Sequence, residues 1–228
     1  MKFVILSLLF LALFAFAETL YRRYHIKAEY TRKIVHIGTG LLTLLFPVML
    51  HSHWEVLILC LAFAILLIIS QRTALLPSVN DIRRVSYGSL AFPLAVWSVF
   101  FISEKMEYPP SMGHASRLYF YIPLLTMTLA DPAAALAGRK WPLKKFRIGA
   151  GTKSPGGSMA FFVVTFILNI LLLQYFTTMT TAEVWLLAAL VAMTSCMAEF
   201  FTPYGLDNLS VPVVATLMLY FGINYFSF

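Results

Sequence analysis

Charge is what this 228-residue sequence has least of: Asp, Glu, Lys and Arg together make up 12% of it, against 60% hydrophobic residues. A soluble domain carries about a quarter charged residues, and the mean hydropathy of +0.81 places this chain outside that class. A disordered chain is excluded as well, because disorder needs low hydrophobicity and high charge. Cysteine is nearly missing. Cys60 and Cys196 both lie inside apolar runs, so they build neither a disulfide framework nor a zinc site. Acidic residues number only 10 against 17 Lys and Arg, a formal net charge of +7. That basic excess follows the connectors between apolar runs, which is a pattern of membrane orientation rather than of nucleic-acid binding. No nucleic-acid partner is expected. No internal repeat or low-complexity segment stands out.

What is abundant is long apolar runs. A spanning helix needs about 20 mainly apolar residues, and candidates lie at 3–17, 34–50, 54–70, 85–102, 118–137, 158–176, 182–200 and 211–226. The expectation is an all-α, polytopic membrane bundle of about eight transmembrane helices. The connectors are too short for a soluble domain, so residues 1–228 read as one membrane-embedded domain. Ala15-Phe16-Ala17 after an apolar run resembles a signal-peptide cleavage site. Cleavage would leave Arg22, Arg23, Lys27, Arg32 and Lys33 on the exported side, against the positive-inside rule; the run is read as retained.

Placing connector 18–33 in the cytoplasm assigns every other connector. The inside set is then Arg22, Arg23, Lys27, Arg32, Lys33, Arg72, Arg83, Arg84, Arg139, Lys140, Lys144, Lys145, Arg147 and Lys153, and only Lys2, Lys105 and Arg117 fall outside. Both termini are therefore expected to be non-cytoplasmic.

Four polar constellations then collect at the cytoplasmic face. Arg32, His36 and Gly40 are spaced by four and form one helical stripe; the plain alternative is snorkelling of Arg32 and Lys33 beside an interfacial histidine. Asp131 lies inside a span, where an acid faces a cavity, a partner or an ion. Pro132 weakens the helix there. Asp131, Ala134, Ala135 and Gly138 share a face of small residues, which admits a close backbone approach; the alternative pairs Asp131 with Arg139 or Lys140. Gly149-Ala150-Gly151-Thr152-Lys153-Ser154-Pro155-Gly156-Gly157-Ser158 precedes a span. Glycines, a lysine, hydroxyls and a helix N-terminus make an anion cradle, although the segment is not a Walker A sequence and could be a flexible basic loop. Glu199 closes one span, and Gly205-x-Asp207-Asn208 opens the next, where Asp207 or Asn208 could simply cap the helix. Carboxylates suit Mg²⁺ and the basic groups suit phosphates, a parts list for phosphoryl transfer.

At these residues the chain resembles the polyprenol kinase family: dolichol kinase, phytol kinase, farnesol kinase and the CTP-dependent diacylglycerol kinase. The matching pieces are Arg32-Lys33-x-x-His36, Arg84-x-x-Tyr87-Gly88, Ala130-Asp131-Pro132-Ala133-Ala134, Gly138-Arg139-Lys140, Lys153-Ser154-x-x-Gly157-Ser158, and Glu199 with Asp207-Asn208-Leu209-x-x-Pro212. They run in family order from about 29 to 217. One departure is Pro155-Gly156, where many members carry an acid before the glycine (Lys-Ser-x-Glu-Gly-Ser).

The resemblance implies transfer of the γ-phosphoryl group of CTP to the hydroxyl of a membrane-dissolved lipid alcohol, with Mg²⁺ or another divalent metal. It implies that Lys153, Ser154, Gly157 and Ser158 hold the triphosphate, assisted by Arg139, Lys140, Arg32 and Lys33. Asp131 becomes metal ligand or base, and Glu199, Asp207 and Asn208 metal or cytidine contacts. His36 orients phosphate or accepts a proton. The chain's compactness favours a prenol such as phytol, farnesol or geranylgeraniol over a dolichol-type polyprenol or diacylglycerol, and a bacterial plasma membrane with the site cytoplasmic. The sequence leaves the oligomeric state open. The rival enzyme is a phosphatidate cytidylyltransferase, whose Ser-x-x-Lys-Arg…Lys-Asp signature is missing. A transporter is less compatible, since it needs a midplane site reachable from both sides.

Overall fold

Runs that are apolar on every side fold as helices surrounded by lipid and by each other, because a spanning segment must satisfy its backbone internally. The computed structural model describes residues 1–73, 75–81, 86–106, 116–141, 144–149 and 151–226. Arg83, Arg84 and Ala150 of the motifs above lie outside them. In chain order the elements are α1 (Lys2–Tyr24), α2 (Ala28–Thr43), the short α3 (Phe46–Met49), α4 (His53–Thr73), the short α5 (Pro77–Asn80), α6 (Gly88–Lys105) and α7 (Leu118–Lys140). A hairpin follows, β1 (Phe146–Ile148) and β2 (Gly151–Lys153), then α8 (Pro155–Phe176), α9 (Thr181–Phe201) and α10 (Asp207–Phe226).

Local chemistry sets several ends. The α9 start is a capping box, Thr180 bonding the Glu183 N–H while the Glu183 side chain reaches back. At the α8 start Ser154 accepts from the Gly157 N–H, and Pro155 occupies the first turn. α1 stops at His25, whose φ of 53° is left-handed. Pro132 does not interrupt α7, which runs unbroken through both Pro123 and Pro132.

Seven described helices, with α2 and α3 counted together as Ala28–Met49, are long and apolar enough to cross a membrane. The eighth expected span corresponds to α6, which has 18 residues and ends in Glu104-Lys105. At 1.5 Å per residue it covers about 27 Å, and its ends show that it joins the two faces of the bundle. Asn208, at the start of α10, bonds the Gly88 carbonyl at 3.0 Å. At the far end Glu104 accepts from the His53 N–H at 2.7 Å and bonds His53 Nδ1 at 2.9 Å, clamping α6 to the beginning of α4. Lys2 bonds His51 at 2.7 Å beside that clamp. Phe226, at the end of α10, packs on the core that holds Leu118 and Tyr119 from the start of α7. Both chain ends therefore lie at the end of the bundle away from Asp207.

α7 is the central helix. In its spanning stretch 56% of residues are buried, against 22% in α1. It can sit there because its neighbours come close: a Cβ added at Gly40 of α2 would stand 2.0 Å from Thr128 Oγ1. That contact presses α2 onto α7 about one helical turn away from His36 and Asp131, on the side away from Arg32. We expect Gly40→Val to lower stability in detergent by about 1–3 kcal/mol, the usual cost of overpacking. Thr128→Ala should recover part of that loss, and thermal unfolding of the single and double variants measures the coupling.

Candidate active site

Residues from five helices (α2, α7, α8, α9 and α10), the hairpin and neighbouring connectors line one cavity of about 430 Å³. Asp131 comes from α7, Glu199 from the end of α9 and Asp207 from the start of α10. One carboxylate oxygen of each lies within 4.8 Å of the others. Glu199 is only 5% exposed, and its Oε2 has no hydrogen-bond partner among the described residues. Lys153 Nζ donates to Asp207 Oδ2 at 2.9 Å and to Glu199 Oε1.

The residues present fit a divalent cation. Three carboxyl groups offer hard oxygen donors, the Glu199 Oε2 is unused, and the cavity leaves room for phosphate oxygens and water, the ligands Mg²⁺ prefers. Burial works to lower the Lys153 pKa, but the Asp207 and Glu199 carboxylates outweigh it and hold that pKa above its ordinary value. The ammonium stays charged through the physiological range. Its contribution is fully present below the ordinary lysine pKa and is lost only as pH rises through the higher folded value.

The hairpin delivers this lysine. β1 and β2 pair antiparallel, Phe146 facing Lys153 and Ile148 facing Gly151. Gly149 carries the positive φ of 58° that the turn needs. A Cβ on it would lie 2.6 Å from Pro203 Cβ, so the turn rests on the α9–α10 connector. Residues 151–153 of this glycine segment thus form one strand of the hairpin.

The small-residue face of α7 meets the start of α8. A Cβ at Gly138 would come 2.9 Å from Ser154 Oγ, and one at Gly157 would come 3.0 Å from the Ala134 carbonyl. This approach aims the α8 N-terminus into the cavity beside Asp131. Ser158 Oγ is buried and lacks a partner among the described residues. At the departure from the family pattern, a Cβ on Gly156 would strike the Trp141 carbonyl at 2.4 Å. In this chain the position has room only for glycine.

From α2, Arg32 Nη2 donates to Ser86 Oγ at 2.8 Å, and Lys33 also lines the cavity. His36 Nε2 donates to the Met127 carbonyl at 3.3 Å, so that in the uncharged form of the ring Nδ1 is the acceptor. Arg139 reaches the rim, where it pairs with Glu29 at 3.2 Å. Lys140 stands over the Trp141 ring, 4.8 Å from its centroid, and does not line the cavity. Asn208 is drawn into structure: its amide holds the Gly88 carbonyl, and its N–H donates to Asp207 Oδ1 at 3.1 Å.

Several lining residues escaped the sequence reading, among them Glu29, Ser86, Thr202 and Tyr204. Glu29 is a single polar residue in the 18–33 connector and Ser86 one at the edge of the expected span 85–102, and no local pattern marks them. Tyr204 gave no signal either, yet its φ of 58° turns its carbonyl to the Tyr87 N–H at 2.8 Å. That bond joins the Tyr87-Gly88 pair to the α10 entrance.

A phytol kinase from Synechocystis sp. (strain ATCC 27184 / PCC 6803 / Kazusa) is 31% identical over 206 residues, covering 90% of this chain and 84% of the relative. The chain belongs to the polyprenol kinase family. No family model and no solved structure matches it. In this member of the polyprenol kinase family, most of the motifs dispersed along the sequence meet in one cavity.

The triad and its lysine compete for the same oxygens, which gives a test that needs no turnover. Lys153→Met should destabilise the metal-free protein by about 3–5 kcal/mol, as removal of one partner of a buried ion cluster does. Mg²⁺ should then raise the unfolding midpoint more in the variant than in the parent. Equal responses to Mg²⁺ would mean that the carboxylates do not hold the ion.

Proposed function

We propose that the protein phosphorylates the hydroxyl of a prenol-type lipid alcohol, using CTP and Mg²⁺, at the cytoplasmic face of a bacterial plasma membrane. The observation that carries this reading is the buried Asp131–Glu199–Asp207 group opening into a cavity ringed by Lys153, Arg32, Lys33 and the α8 N-terminus. Family membership directs that chemistry to a lipid alcohol.

Asp131, Glu199 and Asp207 would hold a divalent ion, which would supply charge neutralisation for the phosphate oxygens. Lys153, which lines the same cavity and stays charged, would supply its ammonium to the triphosphate oxygens. The α8 N-terminus contributes its dipole and N–H groups, and Ser158 a hydroxyl. The alcohol oxygen attacks the γ-phosphorus, the bond from that phosphorus to the β–γ bridging oxygen breaks, and CDP leaves. The hydroxyl proton passes to a nearby base. Asp131 and His36 are the two candidates, and the acceptor nitrogen left on His36 suits it to a lipid entering beside α2.

The same geometry supports the proposed location. CTP is water-soluble, and the polar cavity opens at the bundle end that carries most of the basic residues, the end the positive-inside rule assigns to the cytoplasm. A cysteine introduced at Arg147 should react with an impermeant maleimide only when added from the cytoplasmic side, and one at Thr178 only from outside. Reversed accessibility would overturn the orientation.

The reaction itself is tested with Asp131→Asn in purified protein. Turnover of phytol, farnesol and geranylgeraniol with CTP should fall by about 100-fold or more, within the range for loss of an electrostatic or proton-transfer group, with the unfolding midpoint retained. Lys153→Ala should instead mainly raise the CTP requirement. Near-normal turnover of Asp131→Asn would remove that residue from the mechanism.

A further inference from the structure

A second cavity, of about 80 Å³, lies among α1, α2, α4 and α6. Its walls are apolar: Phe10, Phe14, Cys60, Phe63, Phe92 and Val96. The hydroxyls that reach it are already engaged. Thr39 bonds the Val35 carbonyl and Thr43 the Gly40 carbonyl, each at 2.7 Å, while Ser89 accepts from Gln71 at 3.2 Å. A cavity with such walls stays dry and takes apolar matter. It is not isolated, however. Arg32, His36 and Asn208 line both this crevice and the polar cavity that holds the carboxylates. A dry crevice and a wet phosphate site thus share one doorway, and that doorway holds the histidine.

We propose that this crevice is the subsite for the hydroxyl-proximal isoprene unit of the lipid alcohol, with the hydroxyl beside His36. The proposal rests on the prenol-kinase reading above and adds to it where the substrate is read. Size decides how much of the chain enters. A cavity of about 150 Å³ holds a benzene ring, so this one has room for the first few carbons and not for a C20 chain. The remainder of the chain leaves between helices into the bilayer. Selection therefore falls on the first methyl-branched unit, and chain length beyond it goes unmeasured. Phe46, beyond Thr43, also lines it.

Two measurements test this on the intact purified protein. The first is photolabelling with a farnesol analogue that carries a diazirine on the hydroxyl-proximal unit, with and without excess phytol. Label that phytol displaces is expected on α2, α4 or α6, at residues lining the crevice. Label confined to α8 and α9, or indifferent to phytol, would overturn the proposal. The second is Thr39→Leu, which fills the crevice and gives up only bonds within its own helix. KM for phytol, farnesol and geranylgeraniol should rise together by about tenfold or more, the effect of a methylene-sized mismatch. KM for CTP should stay within about twofold of the parent. A rise for the longest alcohol alone, or for none in a variant that keeps its unfolding midpoint, would contradict it. The two readings fail separately. If no alcohol is phosphorylated but crevice labelling is displaced, the kinase reading falls and the lipid subsite stands. If alcohols are phosphorylated while label bypasses the crevice, the reverse holds.

Discussion

A buried cluster of three carboxyl groups around one lysine is the constraint on which the rest of this structure depends. Such a group is costly to place at a membrane helix end unless its charges find partners. Every element that reaches it is shaped by that need. α7 carries Asp131 down the centre of the bundle, α9 carries Glu199 in its last turn, and α10 begins on Asp207. The hairpin exists to bring Lys153 to two of these oxygens. Glycines at 138 and 157 let α8 approach α7 closely enough to close the arrangement. One carboxylate oxygen, Oε2 of Glu199, remains unused. In a folded protein an orphaned buried acceptor marks a place made for something else.

Two solvents meet at this cluster. Polar side chains gather at one end of the bundle, while the crevice beside it is lined by phenylalanines and by hydroxyls already bonded to their own helix or a neighbour. The small set of shared lining residues, Arg32, His36 and Asn208, is where a water-borne phosphate donor and a membrane-borne alcohol can be brought together. The far end is built differently. There the bonds of His53 to Glu104 and of Lys2 to His51 tie helices to one another.

Much of this was legible in the sequence because membrane folding leaves strong traces. Apolar runs marked the helices, and the eight expected spans correspond to α1, α2 with α3, α4, and α6 to α10. Asp131 and Glu199 stood out because acids inside apolar runs are expensive. The spacing of Arg32, His36 and Gly40 correctly put them on one helical face. Other features had no local signature. Three residue pairs of hairpin around a glycine turn look like a loop until Pro203 and Tyr204 are seen beneath it. Asn208 looked like a ligand, yet Gly88 takes its amide, a contact 120 residues away along the chain. Glu29 and Ser86 are ordinary polar residues that only tertiary packing brings to Arg139 and Arg32. The departure at Pro155-Gly156 was visible as a difference, but its reason, the Trp141 carbonyl against position 156, belongs to three-dimensional contact alone.

The most direct measurement of the central claim compares CTP labelled at the γ-phosphate with CTP labelled at the α-phosphate, each incubated with the purified protein, Mg²⁺ and either phytol or phosphatidate. The account predicts that γ-label enters phytol while CDP accumulates, and that α-label enters neither lipid. α-label transferred to phosphatidate, with release of pyrophosphate, would contradict it and assign the carboxylate site to a cytidylyltransferase.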